Sequence, residues 1–395
     1  MNQLILYGKN PEYRIISGLL ETGSQHSASL SELLYLADRY SLSGNLWHVF
    51  LAWLLIHDEN PYSLACERRK KPNTGLDAFA KADLGALYSL FWSKPSELLE
   101  NCILPQKAGQ PAMVGKAAET LSIALEKAEN EEAFFQTVTA FYTQNGVGSF
   151  SVNRAFSLGE EGLSPVGQLL PITFSDLWGY EVQRQQLIEN TVAFLAGKPA
   201  NNVLLYGDSG AGKSASIKAL LNQYAPEGLR IVELYKHQFS ALPSLTKALR
   251  NRNYRFIIYM DDLSFEDFET DYKYLKALME GGLEARPENI LIYATSNRRH
   301  LIREANSDRS DSDDRHNSDT VQEKISLSQR FGLSIYYPKP LSKEFKQIVL
   351  HLAKRRRVTL PEEELLRRAQ IWEMEHSTIS GRSAEQFIEY ILGQE

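Results

Sequence analysis

The chain has 395 residues, of which 43% are hydrophobic and 23% charged, and it carries a formal net charge of −6. These values describe a globular chain long enough for about two or three domains, and they argue against the broadly basic surface that nucleic acid requires. The opening MNQLILYGKN has no basic stretch followed by a long apolar core, so no secretion signal is expected. The longest apolar run, around Leu46 to Ile56, contains His48 and is too short to span a bilayer, so no membrane segment is expected. Cys66 and Cys102 fit no metal or redox spacing and suit a reducing compartment. The expected location is the cytoplasm.

Residues 1–150 read as an all-α domain. Leu30, Leu33, Leu34 and Leu36 recur at helical spacing, and Trp47, Phe50, Leu51, Trp53, Leu54 and Leu55 predict a strongly apolar, buried helix. Pro61 and the basic stretch ERRKKPNTG, Glu67 to Gly75, break the pattern. There Arg68, Arg69, Lys70 and Lys71 are read as a solvated loop. A helical block from Leu76 to Leu99, a link from Pro105 to Pro111 and a helical hairpin over Ala117–Tyr142 complete the domain. His48 and His57 are read as core or surface histidines, because no carboxylate or cysteine stands at ligand spacing. This domain is expected to recruit a protein partner.

From Gly146 to Pro171 the composition turns to Gly, Ser and Pro, and residues 151–171 are expected to be a linker. Residues 172–340 then predict an αβ domain. Asp176, Leu177 and Gly179 precede an amphipathic helix built on Leu187, Ile188, Val192, Phe194 and Leu195, which stops at Gly197 and Pro199.

The stretch Val203–Leu221, VLLYGDSGAGKSASIKALL, has a strand, a G-x-x-x-x-G-K-S loop and a helix start in the order of a phosphate-binding loop. Gly207, Gly210 and Gly212 let the backbone curl and turn its N–H groups inward as an anion nest, with Asp208, Ser209, Ala211 and Ala215 contributing main chain. Lys213 supplies a point charge for the outer phosphates of a nucleotide, and the Ser214 hydroxyl is a hard oxygen ligand for Mg2+. Ser209 in G-D-S-G also suggests a nucleophile elbow, but Ala211 stands where that motif has Gly.

Two later strands carry polar residues at their ends. Phe256–Met260 is a continuous apolar run ending in Asp261 and Asp262, as buried parallel strands do where they approach a ligand crevice. Asp261 is then the expected Mg2+ ligand and Asp262 the base that orients a water. The alternative is a turn-capping Asp pair. Asn289–Ala294 is a further strand, followed by Thr295, Ser296 and Asn297. The Asn297 amide can meet a γ-phosphate or the attacking water, or cap a helix from Arg298. Residues 306–324 are Ser- and Asp-rich with almost no core residues and are expected to be a mobile loop. Arg230–Leu234 and Leu333–Tyr337 are the other strands. Residues 341–395 predict a small helical bundle.

These pieces resemble an AAA+ ATPase over roughly Ile172 to Leu392. More narrowly, NNVLLYGDSGAGKS, MDDLSFE, ATSNRRHL, EKISLSQRFGL and SGRSAEQF are similar to the bacterial ATP-binding family labelled domain of unknown function 815. The resemblance implies an α/β P-loop NTPase fold: a five-stranded parallel sheet of order 5-1-4-3-2, a helical C-terminal lid and a helical N-terminal extension. It implies ATP as substrate, Mg2+ as cofactor and hydrolysis to ADP and phosphate. It also implies ring assembly of like chains, with Arg330 reaching a neighbour's γ-phosphate. Asn297 and Arg382 would be the first and second sensors, and Tyr180 would line the adenine pocket. The chain departs from the pattern at three points. Asp262 stands where Glu is usual, with Glu266 four residues on; Ala211 takes a position often held by Thr; and Glu385 occupies a turn where an Arg often sits. Two rival functions stay open: an ATP-gated interaction protein that does not hydrolyse, and a helicase-loader-like remodeller of nucleic acid.

Overall fold

A computed structural model describes residues 4–69, 75–100, 102–105, 113–160, 162–265, 272–280, 286–298, 301, 327–376 and 379–394. The chain divides into two compact units, Met1–Asn153 with Asn251–Asn253, and Arg154–Arg250 with Tyr254–Glu395.

The first unit is helical. Its central helix, Leu46–His57, buries every residue from Leu46 to Ile56 except His48, which explains a run with no polar stripe. The Asn45 side chain caps it by accepting from the His48 N–H. Around it pack helices Tyr13–Leu19, Ser24–Arg39, Asp77–Phe91, Met113–Glu126 and Glu131–Asn145. Strands β1 (Gly44–Asn45) and β2 (Ile103–Leu104) add a short antiparallel pair. His48 stacks on Phe91 with 4.1 Å between centroids and bonds Glu126, and His57 stacks on Trp53. Both histidines serve packing. The stretch Glu67 to Gly75, expected as a basic loop, is helical as far as Arg69, where the helix Pro61–Arg69 ends, and residues 70–74 lie outside the described residues.

The strongest polar device in this unit is buried. The Arg252 guanidinium donates to both Glu67 carboxylate oxygens at 2.7 and 2.9 Å, to Glu59 at 2.8 Å and to the Val147 carbonyl at 2.6 Å. It also lies over the Phe150 ring. The side chains of Arg252 and Glu67 are only 6% and 1% exposed. Removing the cation strands a carboxylate in a dry site, so Arg252→Ala is expected to destabilise the first unit by about 3–5 kcal/mol. Urea unfolding followed by the unit's tryptophans checks this; a midpoint within error of the parent contradicts it.

The second unit is built on one seven-stranded sheet of order β4-β3-β6-β7-β8-β5-β9. Its strands are β3 (Ala155–Gly159), β4 (Gly162–Pro165), β5 (Val203–Gly207), β6 (Leu229–Glu233), β7 (Arg255–Met260), β8 (Ile290–Ser296) and β9 (Leu333–Tyr337). The five strands expected from the sequence form the parallel run β9-β5-β8-β7-β6, which is the order 5-1-4-3-2. The sheet is nonetheless larger than the expected five strands. Part of the expected linker is sheet: β3 pairs parallel with β6, and β4 returns antiparallel at the edge. An edge place tolerates Pro165, which cannot donate to a ladder. The central strands β7 and β8 are buried almost throughout, hence their unbroken apolar runs.

One sheet face packs Val203, Leu205, Ile257, Tyr259 and Leu291 against Ile217, Leu220 and Leu221 of the helix Lys213–Tyr224 and against Leu187 and Phe194 of the helix Glu181–Leu195. Val192, expected on that helix's apolar face, is exposed. Three lid helices, Ser342–Arg356, Glu362–His376 and Gly381–Leu392, enclose a separate core of Phe345, Val349, Leu365, Phe387 and Ile391. The expected acidic loop, 306–324, lies outside the described residues. Among the described residues no helix is long and apolar enough to cross a membrane.

Candidate functional site

The loop after β5 follows from its glycines. Gly207, Gly210 and Gly212 have φ of +133°, +76° and +87°, a region that costs a side-chain-bearing residue free energy. A Cβ on Gly207 would also collide with the Tyr337 carbonyl, and one on Gly210 would come within 2.8 Å of Ser380 Oγ in the lid. The loop therefore runs tightly between β9 and the lid. Gly381 N–H donates to the Gly210 carbonyl at 3.0 Å.

Loop, strand tips and lid surround a cavity of about 410 Å3, a size that suits a nucleotide. It is lined by Ser209–Ser216 and Lys218 and by Asp261, Asp262, Thr295 and Asn297. The segment Asp176–Tyr180 and lid residues Ile348, Leu352, Arg382 and Glu385 complete the lining. Of the residues singled out from sequence, Tyr180, Ser209 to Ala215, Asp261, Asp262, Asn297 and Arg382 share this one cavity. Gly207 and Asp208 lie just before it and contribute carbonyls.

Lys213 is 6% exposed, and its Nζ donates to the carbonyls of Gly207 and Asp208, both at 2.7 Å, and to Asn297 Oδ1 at 3.1 Å. Burial lowers its pKa below the ordinary lysine value, while the carboxylates of Asp208, Asp262 and Asp261 act in the opposite sense. Its donors meet only neutral oxygens, which anionic phosphate oxygens can replace with a gain in Coulomb energy.

The Asp261 carboxylate is held by hydroxyls. Ser214 Oγ and Thr295 Oγ1 both donate to its Oδ1, at 2.7 and 2.5 Å. Burial pushes this carboxyl up, but the hydroxyl donors outweigh it and hold Asp261 below the usual carboxylate range. A hydroxyl beside an ionised carboxylate is a hard-oxygen donor pair of the kind that suits Mg2+, which takes few protein ligands and completes its shell from phosphate and water. Thr295 does a second job: its Oγ1 accepts from the Asp262 N–H at 2.9 Å. Asp262 has φ of +50°, and its Oδ1 accepts from Asn297 Nδ2 at 2.8 Å. Thr295 thus links both acidic residues. Only its place before Asn297 at the strand tip could have signalled this.

Trp178, Gly179 and Tyr180 link the two halves of the site. Trp178 packs on the lid core and Tyr180 on the sheet core, with Gly179 between them at φ +78°. The Tyr180 hydroxyl donates to the Pro338 carbonyl at 2.7 Å, and burial pushes its pKa up to about 12. Trp178, Ile348 and Leu352 give the cavity an apolar lining that sequence reasoning missed; their only signals were ordinary helix periodicity and a W-G-Y tripeptide.

Arg330 is outside the cavity wall. Its Nε donates to Glu280 Oε1 at 2.7 Å and a terminal nitrogen pairs with the same oxygen. Glu266 lies outside the described residues. Glu385 lines the cavity as an exposed residue, and the partial desolvation of its carboxyl raises its pKa above the usual carboxylate value.

Residues 150–395 match the model of the family described as "Protein of unknown function (DUF815)". The chain belongs to this family. In this DUF815 member a glycine-rich loop after β5, an acidic pair after β7 and an amide after β8 line one cavity beside the parallel sheet. The ATP-dependent zinc metalloprotease FtsH of Aquifex aeolicus (strain VF5) is 31% identical over 99 residues, 23% of this chain and 16% of that protein. The chain therefore spans only a small part of that relative. The Thermotoga maritima RuvB Holliday junction branch migration motor is similar at 14% identity and a TM-score of 0.35, covering 56% of this chain and 72% of that one. A single-residue variant of the same RuvB has a TM-score of 0.36 over the same shares.

Proposed function

We propose that this chain binds ATP with Mg2+ and hydrolyses it to ADP and phosphate, using the cycle to remodel or regulate a protein partner recruited by its helical N-terminal unit. The single observation that supports this best is the cluster at the loop: Lys213 bonded to Asn297 and Ser214 bonded to Asp261, at 3.1 and 2.7 Å, inside the cavity. Lys213 and the main-chain N–H groups from Asp208 to Ala215 would hold the phosphates. Ser214 and Asp261 would hold Mg2+, which when bound supplies charge neutralisation on the β- and γ-phosphates. Tyr180, with Trp178, would flank the adenine.

In hydrolysis the oxygen of water attacks the γ-phosphorus, the bond to the bridging oxygen breaks, and ADP departs. Asp262 accepts the water's proton, and the Asn297 amide fixes the Asp262 carboxylate and the water's line of approach. Arg382 from the lid adds positive charge at the phosphates. Arg330, presented to the next copy in a ring, adds more. Mg2+-dependent release of phosphate from ATP by the purified chain is the expected result; a chain that neither binds nor hydrolyses ATP defeats the reading. The mass of the Asp262→Asn variant with ATP bears on the ring: a monomer removes the role given to Arg330.

A second reading, an ATP-gated interaction protein without turnover, is favoured by Asp262 alone, one methylene shorter than the usual Glu and already engaged by Asn297. Tight ATP binding with hydrolysis no faster than in water would support it. A nucleic-acid remodeller is disfavoured by the net charge of −6.

A further inference from the structure

Side chains alternate along a strand, so Ile257 and Tyr259 of β7 and then Asp261 point to the same side of the sheet. That side packs under the phosphate-loop helix, where Tyr259 joins the core with Leu205 and Ile217. An aliphatic residue would fill this place, as Ile257 does one step earlier. The phenol adds a polar atom. Tyr259 is 4% exposed and, among the described residues, its hydroxyl completes no well-formed hydrogen bond, although Asp261, Ser214 and Thr295 are close enough to interact with it. A buried hydroxyl left unpaired is destabilising, and this one stands beside a carboxylate that could accept from it.

We infer that Tyr259 is a positioning residue of the divalent-cation site, its phenol O–H serving as a further donor to the Asp261 carboxylate that Thr295 and Ser214 already hold. The inference rests on the ATPase reading of this site and adds to it a residue that tunes the cation rather than the nucleotide. Carboxylates that ligate a metal depend on such donors for orientation. With the phenol present, Asp261 keeps its aim when the Ser214 oxygen is engaged by the cation.

Tyr259→Phe in the full chain tests this, because it deletes one oxygen and keeps the ring. The probe is a fluorescent ATP analogue at fixed concentration, titrated with Mg2+ and, in parallel, with Mn2+ followed by its electron spin resonance. The half-saturating concentration of either cation is expected to rise about tenfold. Nucleotide binding in EDTA is expected to stay unchanged, and the thermal midpoint to stay equal or rise. An unchanged cation titration overturns the inference while leaving the ATPase reading intact. A lower thermal midpoint together with weaker binding in EDTA also overturns it, since the phenol would then serve packing. A parent chain that binds the analogue under no condition removes both.

Discussion

Lys213→Ala is expected to weaken ATP binding by at least about 100-fold, to below detection in a micromolar titration. The ammonium is buried in the loop and shares its donors among the carbonyls of Gly207 and Asp208 and the amide oxygen of Asn297. When phosphate enters, those neutral acceptors give way to anionic ones in the same low-dielectric pocket. A charge-assisted hydrogen bond contributes about 1.5–3 kcal/mol, and two of them account for a loss of this size. Calorimetric titration with MgATP checks it. Lys213→Met, which retains the aliphatic stem, separates lost charge from lost packing. Affinity within threefold of the parent in both variants would refute the phosphate role of Lys213.

Asp262→Asn is expected to leave ATP binding within a few-fold of the parent and to lower turnover by about 10²–10⁴-fold, the range a positioned general base supplies. Asp262 sits in left-handed backbone, φ +50°, a conformation that Asn tolerates as readily as Asp, so the strand tip should persist. The N–H held by Thr295 is unaffected by the exchange. Only the proton acceptor is lost. Phosphate release by the purified variant in a single-turnover assay is the measurement, and undiminished release sinks the assignment of Asp262 as base. Slow release by the parent chain itself, with no further loss in the variant, would instead favour the ATP-gated reading.

The site was legible in the sequence to the extent that its chemistry is local. The loop after β5 announces itself because three glycines, a lysine and a serine stand at the fixed offsets that let main-chain N–H groups face one point. Asp261, Asp262 and Asn297 were readable because each lies within three residues of the end of an apolar run, and buried parallel strands deliver their last residues to one edge of the sheet. Strands β3 and β4 were not. They are short, rich in Gly, Ser and Pro, and lie at the sheet edge, so they lack both an apolar run and an alternation. Residues 155–165 therefore look like a linker until β6 is there to pair with them.

Side-chain partnerships across long separations were equally illegible. Glu67 and Arg252 are each ordinary surface residues by type, and only folding puts one opposite the other with no water between them. Arg330 reads as a cation free to reach a neighbour until Glu280 is seen beside it. Thr295 looks like filler at a strand end, yet its hydroxyl serves two acidic residues from the adjacent strand.

By itself, then, the sequence determined the glycine-rich loop before Lys213, the identity of the polar residues at the strand tips and the helical character of both flanking regions. These depend on backbone conformation and periodicity within a few turns of chain. The tertiary structure decided the apolar lining of Trp178, Ile348 and Leu352, the Ser214 and Thr295 hydroxyls bonded to Asp261, and the two extra strands at the sheet edge. Each of those depends on which register and which helix face meet in space, and that is set by the collective burial of a whole core rather than by any neighbouring residues.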